Sequence, residues 1–223
     1  MDITDYRIPA FIKRNFQMGD TRLKIGICGG TFDPIHTGHL AVAELVRCEY
    51  GLDRVLFIPS GMPPHKSLED VTAPVHRLNM VKCAVGSNSS FEAVAMETER
   101  SGYTYTVDTL RELHRLYPEG TEFNYIIGAD VLLDLLTWRN AREVFKLTDF
   151  IAVMRPGFSD EAFNKRLAEL KREYEINIRS FEIPLLDISS TFIRDRIKAG
   201  KSVKYLVKEE VEEYIIKNKL YQQ

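Results

Sequence analysis

The 223 residues carry 30 lysine or arginine and 32 aspartate or glutamate side chains, for a formal net charge of −2, and 44% of them are apolar. Such a balance, with no dense basic block, excludes a surface for sequence-independent nucleic-acid binding, while the length allows a substantial core in one or at most two domains. No apolar run reaches the roughly 18 to 20 residues that span a bilayer, and the N-terminal MDITDYRIPAFIKRNF lacks the apolar centre of a secretory signal. The expectation is a cytoplasmic protein without membrane contact. Cys28, Cys48 and Cys83 are odd in number and widely spaced, and read as buried, reduced thiols rather than a zinc or disulfide framework.

Taken in chain order, residues 1–22 precede the first strand signal and have no legible role. Short β-branched or apolar runs then recur at LKIGIC (23–28), RVLFIP (54–59), FEAVAM (91–96), FNYIIG (123–128) and FIAVM (150–154). Between them lie helical patterns at 39–50, closed by Gly51; 74–85, closed by Gly86; 107–117, stopped by Pro118; and 140–147. Strands alternating with helices predict a doubly wound α/β fold with a mostly parallel, Rossmann-like sheet. After Pro156 come a charged helix at about 160–174, an apolar-alternating stretch INIRSFEIPL, and helices at about 190–199 and 208–217. No flexible linker separates them, so 23–223 reads as one domain whose C-terminal part, about 187–223, forms a small helical subdomain.

GGTFDPIHTGH (29–39) follows the first strand directly, the place where open α/β sheets bind ligands. Gly29 and Gly30 would let backbone approach a ligand, Gly38 leaves room at the start of a helix, and Thr37 is a candidate N-cap. The helix dipole and exposed N–H groups there attract phosphate, with His36 and His39 as added donors. The run Gly29-Gly30-Thr31-Phe32-Asp33 breaks the G-x-G-x-x-G of dinucleotide loops, and histidines three apart do not match the H-E-x-x-H of zinc proteases. For one isolated histidine, a bond to loop backbone is the commoner role. Two histidines, three glycines and Asp33 within eleven residues favour a phosphate site. Late in the chain, DISSTFIRDRI offers a second: Ser189 or Ser190 can cap a helix, Thr191 and Arg194 share the face near its start, and Phe192, Ile193 and Ile197 would point to the core. An ion pair of Arg194 with Asp187 is the plainer alternative.

GGTFDPIHTGH resembles the His-x-Gly-His signature of the nucleotidyltransferase superfamily. Together with IPSGMPPHK (58–66), YTVDTL (105–110), IIGAD and TW (126–138), VMRPG (153–157) and DISSTFIR (187–194), it makes the chain from about Lys24 to Tyr221 similar to the bacterial nicotinate-nucleotide adenylyltransferases. The resemblance implies transfer of AMP from ATP to nicotinate mononucleotide with Mg2+, and no tightly bound organic cofactor. The metal's ligands are not legible. A phosphate monoester, with a second pKa near 6, is already largely ionised at neutral pH, so the reaction asks for positioning and charge stabilisation more than a base.

The resemblance also implies residue roles. His39, His36 and Arg194 would act on the reacting phosphates. Gly29, Gly30, Thr31, Phe32, Gly128, Asp130, Arg155, Ser189 and Thr191 would hold ATP, although Asp130 is equally suited to capping a helix. His65, Lys66, Tyr105, Thr106 and Trp138 would hold the acceptor, with Trp138 stacking on the pyridine ring; a sole tryptophan is otherwise more often core. Arg139 follows Trp138 where some relatives carry another aromatic, which leaves acid against amide acceptor open. Nicotinamide mononucleotide or phosphopantetheine as acceptor, and a non-catalytic nucleotide sensor, are the alternatives. The N-terminal extension could serve as a contact between copies of the chain.

Overall fold

The computed structural model describes residues 22–63, 71–154, 161–184 and 187–222. Six parallel strands, β1 (Lys24–Gly30), β2 (Arg54–Pro59), β3 (Phe91–Ala93), β4 (Glu122–Gly128), β5 (Asp149–Met154) and β6 (Ile178–Glu182), form one sheet in the order β3-β2-β1-β4-β5-β6. The chain therefore winds outward from β1 to β3, returns to the far side of β1 at β4, and winds outward again. β1 is central, paired with β2 through Gly29↔Ile58 and with β4 through Ile27↔Tyr125. The doubly wound α/β fold expected from the alternation is present.

Helices α1 (Thr37–Tyr50), α2 (Pro74–Val85), α3 (Thr106–Leu116), α4 (Val131–Asp134), α5 (Ala141–Leu147), α6 (Glu161–Tyr174), α7 (Ser190–Lys198) and α8 (Glu209–Lys217) cover both faces. On one face Ile25, Ile27, Leu56, Tyr125 and Phe150 pack against Leu110 and Leu113 of α3, Val144 and Phe145 of α5, and Phe163 and Leu170 of α6. On the other, Val55, Phe57, Ile126 and Ile151 meet Ala43 and Val46 of α1, Met80 and Val81 of α2, Ile193 of α7, and Val211 and Ile215 of α8. Strand residues alternate between these two cores because successive side chains leave opposite faces of the pleat. No described helix is long and apolar enough to cross a membrane.

Local details correct some expectations, bear out others and add elements that were not expected. The third strand is only three residues long. Residues 131–137, LLDLLT with a preceding valine, turn into short α4 and a 3-10 turn (Leu135–Thr137), bringing Leu132 and Leu135 into the core. Gly51 ends α1 at φ 60°, a left-handed cap that glycine adopts at little cost, whereas Gly86 ends α2 with right-handed φ and ψ. The cysteines are free, but Cys48 is exposed on α1 and Cys28 and Cys83 are half-buried. Phe192 is 48% exposed: only Ile193 of its neighbours reaches the core fully, and Arg196 lies 5.5 Å over the Phe192 ring.

Candidate active site

At the carboxyl ends of β1 and β4, on either side of the reversal in strand order, a cavity of about 300 Å³ opens. It is lined by Gly29 and Gly30 at the end of β1 and Thr31 after it, Ser60 and Pro63 after β2, Thr106 at the start of α3, Tyr125 and Gly128 of β4, and Trp138. Glycine at 29 is needed by the protein itself: a Cβ there would fall 2.0 Å from the Tyr125 hydroxyl. That side chain occupies the space a ligand was expected to use. At Gly128 a Cβ would come within 2.4 Å of Asp130 Oδ1, so the Asp130 carboxylate folds back over the strand end and makes no side-chain cap to α4.

The turn after β1 leads into α1 through His36, which is the N-cap in place of Thr37. Thr37 instead ties the helix start to the C-terminal segment, its N–H donating to Leu206 O (2.9 Å) and its hydroxyl to the same carbonyl (3.0 Å). The His36 backbone N–H donates to His39 Nδ1 at 3.2 Å. An accepting Nδ1 places the His39 proton on Nε2, which is left as a donor; this tautomer follows from the hydrogen-bond network. The two imidazoles stack with centroids 3.7 Å apart, and Phe32 meets His39 edge-on at 5.1 Å. Phe32 itself is buried, at φ 51°, so only its backbone is offered to a ligand.

Burial lowers the His36 pKa to about 4, and burial followed by the neighbouring His36 lowers that of His39 to about 3. Both rings are therefore neutral at pH 7 and act as hydrogen-bond donors rather than cations. His36 Nδ1 is buried without a hydrogen-bond partner among the described residues.

α7 docks on the same turn. Ser189 caps it, accepting the Phe192 N–H at 3.1 Å, while the Ser190 hydroxyl donates to Pro34 O at 2.8 Å. Arg194 donates to Asp33 O at 2.8 Å and to Thr191 Oγ1 at 3.3 Å, which replaces the expected alternative of an ion pair with Asp187. The start of α7, its guanidinium and the histidine turn thus form one surface.

Across the cavity Trp138 is half-buried, 5.6 Å from Tyr125 and 6.4 Å from Phe150, and one side of it lines the opening. Tyr105 is the N-cap of α3, and the Arg139 guanidinium sits 4.4 Å over its ring. His65, Lys66 and Arg155 lie outside the described residues.

Three supporting residues complete the site: Asp33, which the sequence reading counted only as part of the phosphate cluster, and Arg77 and Tyr221, which it missed. Asp33, 3% exposed, accepts the Thr72 N–H at 3.1 Å and the Tyr221 hydroxyl at 2.6 Å. Arg77 is fully buried. Its signal was in the sequence, since 77, 81, 84 and 85 share one helix face and an arginine there interrupts an apolar stripe. Tyr221 carries no local signal that could have linked it to Asp33.

Residues 27–196 match the model of a family described as cytidylyltransferase-like. A protein of Desulfitobacterium hafniense (strain Y51) named "Probable nicotinate-nucleotide adenylyltransferase" is 51% identical over 201 residues, spanning 89% of this chain and 95% of its own length. A protein of the same name from Thermoanaerobacter sp. (strain X514) is 45% identical over 202 residues, spanning 91% and 96%. Plasmodium falciparum nicotinic acid mononucleotide adenylyltransferase, solved in complex with NaAD, shares the fold with a TM-score of 0.72 at 24% identity, over 90% of this chain and 98% of its own. With the histidine turn set at the reversal of a six-stranded parallel sheet and relatives matching along almost the whole chain, the protein belongs to the cytidylyltransferase-like family, among its nicotinate-nucleotide adenylyltransferases.

Proposed function

We propose that this chain transfers AMP from ATP to the 5′-phosphate of nicotinate mononucleotide, releasing pyrophosphate and deamido-NAD. The observation that carries the reading is the joint surface of the histidine turn and the start of α7, placed beside a cavity that has an aromatic wall. An ionised acceptor oxygen attacks the α-phosphorus as the bond to the pyrophosphate oxygen breaks. The protein's share is to hold the two reactants in line and to donate hydrogen bonds where negative charge gathers. His39 supplies a neutral Nε2–H, His36 stacks behind it, and Arg194 with the capped start of α7 supplies the cationic and backbone donors.

Gly30 and Thr31, with Gly29 beneath them against Tyr125, line the path assigned to ATP, and the Asp130 carboxylate, turned over Gly128, is suited to accept ribose hydroxyl bonds. Trp138 offers its exposed side to the pyridine ring. Thr106 at the positive end of α3, with the Arg139 charge over Tyr105, favours a carboxylate on that ring over an amide. Arg155 for ATP, and His65 and Lys66 for the acceptor phosphate, complete the assignment on sequence grounds.

Magnesium accompanies ATP in this chemistry. No group of three or more His, Cys, Asp or Glu side chains among the described residues is placed to hold a metal, so no protein ligands are assigned to it. Bound with ATP, it supplies positive charge against the leaving pyrophosphate.

The test is a side-by-side measurement of pyrophosphate release with nicotinate mononucleotide and with nicotinamide mononucleotide, the dinucleotide product being identified by mass. The expected result is a higher kcat/KM for the acid. A preference for the amide would overturn the acceptor, and ATP bound without pyrophosphate release from either would overturn the reaction.

A further inference from the structure

Arg77, on α2, is 0% exposed, and among the described residues its guanidinium makes three hydrogen bonds, every one to a backbone carbonyl. Nη1 donates to Thr31 O, Nη2 to Gly61 O and Nε to Thr72 O, each at 2.8 Å. Asp33, Tyr221 and Glu97 act on it through space, with no ion pair to it among the described residues. Taking a cation out of water without a contacting carboxylate is costly, and an apolar side chain would fill the helix face with less penalty. What only an arginine provides is a rigid planar fork that reaches three acceptors at once.

The three carbonyls belong to separate segments. Thr31 lies in the turn after β1 that the proposed reaction gives to ATP, and it lines the cavity. Gly61 lies in the connection after β2, between the cavity-lining Ser60 and the segment that leads through Pro63 to the acceptor side. Thr72 immediately precedes α2, and its N–H is held in turn by Asp33. One side chain therefore bolts the nucleotide turn to both stems of the 61–72 connection.

We propose that Arg77 is a positioning residue that fixes the separation between the nucleotide turn and the acceptor connection. This inference rests on the adenylyl-transfer reading above. Under that reading each of the two segments serves a different substrate, so loosening the bolt should leave single-substrate binding largely intact. In-line attack depends on both at once, and a misplacement of about 1 Å costs on the order of 100-fold in rate.

The test compares wild type with Arg77→Lys, whose single ammonium cannot span three carbonyls in a plane, and with Arg77→Ala assayed with and without millimolar guanidinium. Wild-type turnover of ATP with nicotinate mononucleotide is measured first, and its absence would sink the reading of the reaction. Given turnover, Arg77→Lys is expected to lose about 30-fold or more in kcat by that principle, with KM for each substrate within about 3-fold of wild type. Calorimetry should show deamido-NAD, which spans both sites, losing about 10-fold or more in affinity while ATP alone does not. Guanidinium should return kcat of Arg77→Ala saturably. An unchanged kcat in Arg77→Lys, a parallel loss of both single-substrate affinities, a folded Arg77→Ala that guanidinium does not rescue, or failure of both variants to fold would each overturn the inference.

Discussion

The two ring nitrogens of His39 serve different ends, and a pair of substitutions separates them. Nδ1 accepts the His36 N–H at 3.2 Å and so belongs to the fold; Nε2 carries the proton that the proposed reaction would offer to phosphate. In His39→Asn the Oδ1 atom can take over the Nδ1 position, but nothing reaches as far as Nε2. The cap is retained, and the expected stability loss is under about 1 kcal/mol, the scale of one net hydrogen bond. The rate, by contrast, loses a donor that acts where charge develops, worth about 2.7 to 4 kcal/mol or 10² to 10³ in kcat. His39→Ala loses the same factor in rate and also strands a half-buried N–H, at a cost of about 1 to 3 kcal/mol. At about 2 to 4 °C per kcal/mol for a chain of this size, its Tm should lie visibly below that of the asparagine variant. Pyrophosphate release under saturating substrates gives kcat, and thermal unfolding gives Tm. Wild-type kcat in His39→Asn, or equal Tm losses in the two variants, would refute the division of labour.

Three further outcomes follow from described contacts. Because the folded pKa values of His36 and His39, about 4 and 3, lie below the unfolded value near 6.5, the unfolded chain binds more protons in between. Stability of the free enzyme should fall as pH drops below about 6.5, by at most about 1.4 kcal/mol per pH unit for each group, and continue falling towards pH 3. Replacing both histidines by asparagine should flatten the Tm profile over pH 5 to 7, and parallel profiles would count against the burial argument. Trp138→Ala, which removes the cavity's aromatic wall, should raise the acceptor KM about 5- to 100-fold, the equivalent of about 1 to 3 kcal/mol of stacking, with the KM for ATP little changed. Tyr221→Phe deletes the 2.6 Å bond to buried Asp33 and should cost about 1 to 3 kcal/mol, read as a lower midpoint in urea; an unchanged midpoint would show that water takes the hydroxyl's place.

The layered fold was legible because its strands are buried on both faces and read as continuous apolar runs, while the helices carry a one-sided stripe and clear stops such as Gly51 and Pro118. What misled the reading was local chemistry overridden by packing. FEAVAM has the composition of a longer strand, yet pairing with β2 ends at Ala93. Phe192 has the hydrophobicity of a core residue but sits on the outer side of α7. In the site, the histidine turn announced itself by density of unusual residues within eleven positions, and Ser189 by its place before a helix. Tyr125 did not, because nothing in FNYIIG says that its hydroxyl reaches the backbone of Gly29; that depends on the pairing of β4 with β1, a contact set by the whole sheet order. Arg139, a departure from the aromatic pattern, acquires a partner in Tyr105 only once α3 and the turn before α5 are brought together.

The histidine turn is held by partners made long after it: Pro34 is gripped by Ser190, Thr37 by Leu206, and Asp33 by Tyr221, 188 residues further on. At about 5 to 20 residues per second of synthesis, roughly 10 to 40 seconds separate the birth of the turn from the arrival of its final tether. Until then a growing chain presents nucleotide with a loop whose helix start and aspartate lack their distal ties. A chain that has not yet reached Tyr221 already holds the residues of all six described strands and still lacks that fastening, so the turn is secured only after the sheet that carries it has been made.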